Sequence, residues 1–205
     1  NAANMFVLKL DSSGNYVWAK SMGGTDPTPT ASLMPEAVAV DSSGNVYTTG
    51  SFSQNVDLDP NAGIEKLTTN GNADVFVSKL DSSGNYVWAK AFGSTTGHRS
   101  DEGSSLALDS SGNVHVVGKF VGTVDFDPGV GTVNLTPVGE RPDGDVFVLK
   151  LDSSGNYVWA KRLGGNSSDF PYSVAVDSSG NVHTSGSFRE TADFDPNAGT
   201  EELTS

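Results

Sequence analysis

The ten residues Asp-Ser-Ser-Gly-Asn-Tyr-Val-Trp-Ala-Lys at Asp11–Lys20 decide the fold, because the same ten residues return at Asp81–Lys90 and Asp152–Lys161. Successive copies are 70 and 71 residues apart. A second block, Asp-Ser-Ser-Gly-Asn-Val, begins at Asp41 and recurs twice at a constant interval of 68 residues. Self-similarity at a fixed period indicates a repeat architecture. The chain of 205 residues therefore consists of units of about 70 residues.

Each Asp-Ser-Ser-Gly-Asn block predicts a β-hairpin turn. Its Asp can accept backbone N–H bonds, and its Gly supplies the left-handed residue of a type I turn with a G1 bulge. β-Branched and aromatic residues dominate the flanking segments, as in Asp74–Leu80 before one turn and Tyr86–Phe92 after it. Ala37–Val40 and Val46–Phe52 flank the second kind of turn. One unit thus holds two hairpins, which gives four antiparallel strands, here called A to D in chain order.

Four-stranded units that repeat along a chain predict a β-propeller, in which about four to eight such blades surround an axis. We therefore predict an all-β chain of about three four-stranded antiparallel blades. One blade is expected over residues 36–102 and the next over 103–170. Residues 1–35 and 171–205 are expected to form the C–D hairpin and the A–B hairpin of split blades. Another copy of the chain, or missing repeats, would complete the ring and cover the open strand edges.

The composition excludes several partners and chemistries. The chain has no Cys, which excludes disulfides, thiol catalysis and thiolate metal sites. The formal net charge of −13 opposes contact with the phosphates of nucleic acids and with anionic membranes. The sequence also has no apolar run long enough for a transmembrane helix. We expect neither a nucleic-acid partner nor membrane insertion.

The paired motifs resemble a known family. Phe-Val-x-Lys-Leu-Asp-x-x-Gly-Asn-x-x-Trp-Ala at Phe76–Ala89 and Ala-Val-Ala-Val-Asp-x-x-Gly-Asn-Val-Tyr-x-x-Gly at Ala37–Gly50 are similar to the bacterial β-propeller repeat called the SBBP repeat. The resemblance covers nearly the whole chain. It implies a propeller fold and a secreted or cell-surface location. It transfers no catalytic residues, because the family is defined by structural positions.

A third recurring element, Asp-(Leu/Phe)-Asp-Pro, lies in an insertion between strands B and C. Its two carboxylates are two residues apart, so that in an extended chain they point to the same side. With nearby carbonyl oxygens they could hold Ca²⁺, which takes about six to eight oxygen ligands. The alternative is that Asp-Pro begins a turn that the first Asp caps. The candidate metal ligands are Asp57, Asp59, Asp125, Asp127, Asp193 and Asp195.

Aromatic and histidine side chains give two further candidates. Each unit has one Trp in the middle of strand D, which could stack on a sugar but is more typical of packing between blades. His115 and His183 occupy the strand position of Tyr47, which favours strand residues over ligands. No Ser-His-Asp arrangement can be identified, so we expect no enzyme, and calcium is the only cofactor that the sequence suggests. The three tryptophans are Trp18, Trp88 and Trp159.

The variable loops indicate where binding would lie. The A–B and C–D turns are nearly identical in every unit, whereas the B–C insertions and D–A connections differ and should share the opposite face. We predict a non-catalytic extracellular or cell-surface binding or structural module that can self-assemble into a ring or filament. The alternative is a calcium-stabilised, lectin-like carbohydrate-binding propeller. The expected partners are further copies or repeats of the same array, or a surface protein or glycan.

Overall fold

The computed structural model describes residues 3–24, 31–94, 100–138 and 144–205. Within these ranges every regular element is a β-strand, and all pairs of neighbouring strands are antiparallel. The same ranges contain no helix that is long and apolar enough to cross a membrane. The structure thus confirms the predicted all-β, propeller-like repeat fold.

Two four-stranded sheets, hereafter the first and second blades, lie between two outer hairpins. The first outer hairpin consists of β1 (Met5–Leu10) and β2 (Tyr16–Gly24). The first blade has β3 (Ser32–Val40), β4 (Val46–Ser53), β7 (Asp74–Leu80) and β8 (Tyr86–Phe92), in that spatial order. The second blade has β9 (Glu102–Leu108), β10 (Val114–Phe120), β13 (Asp145–Leu151) and β14 (Tyr157–Gly165). The other outer hairpin consists of β15 (Phe170–Val176) and β16 (Val182–Ser187).

The A strands are longer than the sequence predicts. They begin at Ser32 and Glu102, whereas the sequence pattern indicated Ala37 as the start of the first. A shift in the pairing register explains the difference, because Pro35 and Ala37 face consecutive residues of β4 and leave one extra residue between them. Such a β-bulge breaks the alternation of apolar and polar residues by which a strand is recognised.

The B–C insertions contain short hairpins, although the sequence pattern predicted loops there. Each hairpin turns back to the blade before it: Val56 pairs with Gly24 of β2, and Ala192 pairs with Gly165 of β14. An isolated bridge joins Val124 to Ser94 in the same way. These insertion hairpins therefore connect successive sheets. They are β5 (Asn55–Asp57) with β6 (Lys66–Thr68), β11 (Val124–Asp125) with β12 (Asn134–Leu135), and β17 (Thr191–Asp193) with β18 (Glu202–Thr204).

The core lies between the sheets as three successive clusters. The first joins Met5 and Met22 of the outer hairpin to Phe52 and Phe76 of the first blade. The second joins Val77 of the first blade to residues of the second, and the third joins Val148 of the second blade to Val174 of β15. Each full blade thus buries both of its faces, which explains why its strands are apolar on both sides.

Candidate functional site

The repeated Asp-Ser-Ser-Gly-Asn turns have the predicted geometry. Asp41 Oδ1 accepts the backbone N–H groups of Ser43 and Asn45 at 2.9 and 3.0 Å, and its Oδ2 accepts the Asn45 side-chain amide at 2.8 Å. Gly44 has a left-handed φ of 81°. In the last copy, the side chain and backbone of Asn181 lower the pKa of Asp177 to about 2. These carboxylates stabilise their own turns, so their role is structural.

The Asp-x-Asp-Pro carboxylates cap turns inside the insertion hairpins. Asp57 Oδ1 accepts the N–H groups of Asp59 and Glu65 at 3.0 and 2.9 Å, and Asp59 Oδ1 accepts that of Asn61 at 2.8 Å. The Asp59 carboxylate also lies against Gly63, where an added Cβ would be 2.0 Å from Oδ2. The carboxylates of Asp125 and Asp127, and of Asp193 and Asp195, accept backbone N–H groups of their own turns in the same way.

This geometry is what the turn-capping alternative requires. Within the described part of the chain, no group of three or more His, Asp or Glu side chains could hold a metal ion. One oxygen of each capping carboxylate is occupied by N–H donors, and calcium binding by these six residues stays a prediction.

The middle residue of Asp-x-Asp-Pro is the member of the motif that the sequence analysis missed. Leu58 and Phe126 are fully buried between successive sheets, and Phe194 contacts Phe188 with ring centroids 5.3 Å apart. The sequence contained a signal for this buried position, because all three copies have a large apolar residue here in an otherwise polar loop. Anchoring by that residue holds the insertion hairpin on the sheet stack.

Trp18 and Trp88 pack between sheets, as predicted for the tryptophans. Trp18 Nε1 donates to the carbonyl oxygen of Ser82 at 3.2 Å, and Trp88 Nε1 donates to that of Ser153 at 3.3 Å. Both acceptors lie in the C–D turn of the following blade. The Trp88 indole also lies against Gly155 of that turn. A Trp that contacts the next blade on its ring and its N–H is not available to stack on a sugar.

The two histidines differ in exposure. His115 is fully buried, its Nε2 lies 3.3 Å from Asp109 Oδ2, and burial lowers its pKa. Lys150 Nζ lies 3.0 Å from the same oxygen. Although burial opposes ionisation, the bonds from Asn113, Lys150 and His115 hold the pKa of Asp109 well below its usual range. The equivalent His183 is exposed instead, and its Nε2 lies 3.6 Å from Asp177 Oδ2.

Buried carboxylates at the junctions between sheets were not predicted. Asp101 Oδ2 accepts the N–H of Ser94 at 2.9 Å, and its Oδ1 accepts the N–H of Val121 at 2.6 Å. It thereby links the end of strand D, the start of strand A and the end of strand B. Burial raises its pKa to about 6, against the effect of these bonds. Asp169 Oδ2 accepts the N–H of Gly165 at 3.0 Å in the equivalent place of the next junction.

Exposed apolar side chains concentrate on the outer hairpin β1–β2. Phe6 is 73% exposed, whereas Phe76 and Phe147, at the same repeat position, are 0% exposed. Leu8 and Leu10 extend the same surface. We call these three residues the open hairpin face.

A cavity lies at the other end of the sheet stack, beside β15–β16. Its apolar lining includes Val146, Leu163, Phe188 and Phe194. We call it the phenyl slot. The open hairpin face and the phenyl slot are the candidate functional surfaces of the chain.

The chain is similar to several known proteins. The chain is 25% identical, over 91% of its length, to an uncharacterised WD repeat-containing protein of Acanthamoeba polyphaga mimivirus. It is 30% identical, over 63% of its length, to the regulatory protein FlaEY of Caulobacter vibrioides. It spans only 14% and 13% of these two relatives. A solved protein of unknown function from Bacteroides caccae shares 11% identity, with a TM-score of 0.32 over 97% of this chain and 72% of that one.

A family model identifies the repeat itself. Residues 158–187, from strand D of the second blade to the end of β16, match the model described as SBBP, beta-propeller repeat. The match begins and ends in the two kinds of strand that the sequence motifs defined. The resemblance inferred from the motifs is thus confirmed for residues 158–187, which are similar to the SBBP β-propeller repeat.

Proposed function

We propose that this chain is a non-catalytic binding and structural module of a secreted or cell-surface protein. One observation carries the proposal: the polar side chains that recur in every unit bond to the backbone of their own turn or of the next blade. The turn Asp41 bonds within its hairpin, Asp57 caps the insertion, and Trp88 bonds to the following blade. A unit whose recurring polar groups hold its own sheets together is a framework on which variable loops are displayed.

The insertion tips supply a contact surface on that framework. Ile64 and Val130 lie at the ends of insertion hairpins and are fully exposed or nearly so, at 75% and 110%. In this proposal, a partner protein contacts the chain at these projecting side chains. The name of the mimivirus relative records WD repeats, and the Caulobacter relative is named as regulatory, which is in keeping with protein contacts as the role of such repeats.

An overlay assay tests the proposal. Labelled chain is applied to cell-surface protein extracts and to a glycan array, with and without EDTA. We expect binding to protein that EDTA leaves unchanged and that the double variant Ile64→Ser, Val130→Ser weakens. The matched control is Ser83→Ala, Ser154→Ala in the uniform turns, which should bind as the unchanged chain does. Chemical turnover of a bound ligand would contradict a non-catalytic role.

Location is tested separately in cells that make the whole protein. An impermeant amine-reactive label should modify the chain in intact cells, because exposed lysines such as Lys66 would face the medium. A label that reaches the chain only after lysis would contradict a secreted or surface location.

A calcium-stabilised lectin is the second candidate. It is favoured by one observation, a polar surface cavity lined by Asp125 and Asp127 together with Asn70, Thr123 and Asn134. Carboxylate and amide oxygens suit both Ca²⁺ and sugar hydroxyls. Glycan binding that EDTA abolishes, together with a rise in melting temperature on adding Ca²⁺ that Asp125→Asn with Asp127→Asn removes, would support it over the first proposal.

A further inference from the structure

The polar surface cavity beside Asp125 lies between the first blade and the insertion hairpin of the second blade. Ala91 of the first blade forms part of one wall, and Asp125 and Asp127 of the insertion hairpin form part of the other. An isolated β-bridge joins the two walls. Both walls belong to neighbouring sheets of the described chain, so the cavity lies within the sheet stack and not at one of its ends. We call it the carboxylate cavity.

The equivalent place in the next unit contains a cation of the chain itself. Arg162 of β14 takes the repeat position of Ala91, since each faces the phenylalanine of its own strand C. Arg162 Nη1 donates to Asp145 Oδ2 at 3.0 Å. The N–H groups of its own turn lower the pKa of Asp193, and the nearby charge of Arg162 lowers it further. The guanidinium group thus interacts with a carboxylate of strand C and with one of the insertion hairpin.

The carboxylate cavity has both carboxylates without that cation. Asp74 and Asp125 take the repeat positions of Asp145 and Asp193. Asp74 is 1% exposed, and its Oδ1 has no hydrogen-bond partner. Its carboxyl group lies directly against Gly93 in the cavity wall, where an added Cβ would collide with it. Within the described ranges, neither carboxylate of the first pair forms an ion pair. A buried carboxylate without a cation is costly, so the site favours a positive ligand.

The first insertion hairpin shows the same contrast. There the residue paired with Asp57 across β5 and β6 is Lys66. In β11–β12 the residue paired with Asp125 is Asn134, which has no charge. Of the three units, two therefore have a basic residue near the first Asp of the motif, as Lys66 or as Arg162. In the middle unit, no described residue takes that role.

The remaining lining of the carboxylate cavity consists of hydrogen-bond acceptors. Asp125 Oδ1 accepts two backbone N–H groups, at 3.0 and 2.8 Å, and its Oδ2 bonds to no other described residue. The side chains of Asn70, Thr123 and Asn134 add oxygen atoms. A guanidinium group has only N–H donors, so carboxylate, amide and hydroxyl oxygens can all accept from it. The net charge of −13 also attracts a cation to the chain.

We propose that the carboxylate cavity binds a guanidinium group, either that of free arginine or that of an arginine side chain of a partner protein. The bound group takes the place that Arg162 takes in the next unit, between the carboxylates of Asp74 and Asp125. Charge-assisted hydrogen bonds to these carboxylates hold it. The inference rests on the proposed binding role and names the chemical group that the module recognises.

Calorimetric titration with N-acetyl-arginine amide tests the site. The unchanged chain should bind the probe, and Ala91→Arg should abolish binding, because the new guanidinium fills the cavity as Arg162 does in the next unit. Asp125→Asn should weaken binding about tenfold, through the loss of a charge-assisted hydrogen bond. The matched control is Ser83→Arg, which adds the same charge at an exposed turn residue and should leave binding unchanged.

Melting curves check that each variant folds and give a second readout. Ala91→Arg should raise the melting temperature, because it gives Asp74 the partner that Asp145 already has. Arg162→Ala makes the converse change and should lower it. Methylguanidinium should then restore part of that loss, because a ligand that binds the folded state stabilises it.

Free arginine and the blocked amide distinguish the two sources of the ligand. Tighter binding of the amide identifies an arginine side chain of a protein, and the reverse order identifies the free amino acid. Failure of the folded chain to bind either compound would overturn the inference, as would binding that Ala91→Arg leaves intact. Displacement of the amide by Ca²⁺ would also overturn it, in favour of a calcium site. Each of these results leaves the protein overlay assay to judge the proposed function.

Discussion

The second blade and the outer hairpin β15–β16 begin from nearly the same sequence block and end in different environments. His115 is 0% exposed in the blade, whereas the side chain of His183, at the same repeat position, is 66% exposed. Both stand one residue after the start of a strand B, and both follow an identical Asp-Ser-Ser-Gly-Asn turn. What separates them is the C–D hairpin beside His115, where Lys150 is its partner in the sheet and the Trp159 ring centroid lies 5.9 Å from that of the imidazole.

The comparison shows that the junction between hairpins, and not the residue type, determines whether a side chain in this chain is buried. Phe76 and Phe6 illustrate the same point from strand C, since one is in the core and the other is exposed. Local sequence specifies the hairpin, and the neighbouring sheet specifies what the hairpin buries. Three measurements test this dependence on the neighbouring sheet.

The largest expected effect separates two identical residues. Phe147→Ala removes a ring that is enclosed on all sides, and should lower the free energy of unfolding by about 3–5 kcal/mol. Phe6→Ala removes an exposed ring, and in the monomeric state should change it by no more than about 0.5 kcal/mol. Urea unfolding at low protein concentration measures both. Similar losses for the two variants would show that β1–β2 buries Phe6 within its own chain.

The next effect concerns pH at the junctions. Burial raises the pKa of Asp101 to about 6 from an ordinary value of 3.8. A carboxyl whose pKa is raised in the folded state stabilises it fully below about pH 4, and loses that contribution as the pH rises through about 6. Two pKa units correspond to about 2–3 kcal/mol.

Asp101→Asn is the reference for this prediction, because its amide does not titrate in this range. Between pH 4 and pH 7, the unfolding free energy of the unchanged chain should fall by about 2–3 kcal/mol relative to that of the variant. The turn carboxylates have the opposite sign: Asp177, with a pKa lowered to about 2, stabilises the fold above pH 4 and loses this effect as the pH falls. A flat difference across the range would mean that Asp101 is solvated.

The smallest effect concerns the residue that turns the chain into each insertion hairpin. Gln54, Gly122 and Glu190 all have left-handed φ angles, of 65°, 85° and 60°. Only Gly adopts this conformation without steric cost, so Gln54→Gly should stabilise the chain by up to about 1 kcal/mol, and Gly122→Ala should destabilise it by a similar amount. Thermal melting of both variants measures the pair. A loss of stability for Gln54→Gly would mean that its side chain makes contacts that outweigh the strain.

The sequence predicted most of the hairpins because their signals are local. The turn block of Asp81 and the apolar strands beside it fix β7 and β8 at the residues where the structure has them. The bulge near Pro35 and the short pairing of Val56 with Gly24 were missed, since both depend on contacts between segments that are not neighbours in the chain.

The same distinction between local signals and contacts of distant segments applies to the candidate sites. The packing role of Trp88 followed from its position in a strand, whereas the burial of Asp101 could not be predicted, because an Asp before a strand is ordinarily exposed. The phenyl slot was equally hidden, since its walls come from five separate segments. Repetition offered the one available signal: positions that are apolar in every unit, such as Leu58, Phe126 and Phe194, imply a shared partner.

Disulfide trapping tests the central claim, that the pairing of two hairpins into one blade determines which residues are buried, most directly. Thr48 Oγ1 and Ser78 Oγ lie 2.7 Å apart across β4 and β7, so cysteines at this pair should form a bond within one chain. The equivalent pair across β10 and β13 is Val116 and Leu149. Because the chain has no Cys, each double variant gives an unambiguous product.

The account predicts that Thr48→Cys, Ser78→Cys and Val116→Cys, Leu149→Cys each form a bond within one chain, which makes the oxidised monomer migrate faster on a gel than the reduced one. The register control is Tyr47→Cys, Ser78→Cys, whose side chains point to opposite faces and should link poorly. A folded Thr48→Cys, Ser78→Cys variant that keeps both thiols free under oxidising conditions would contradict the account.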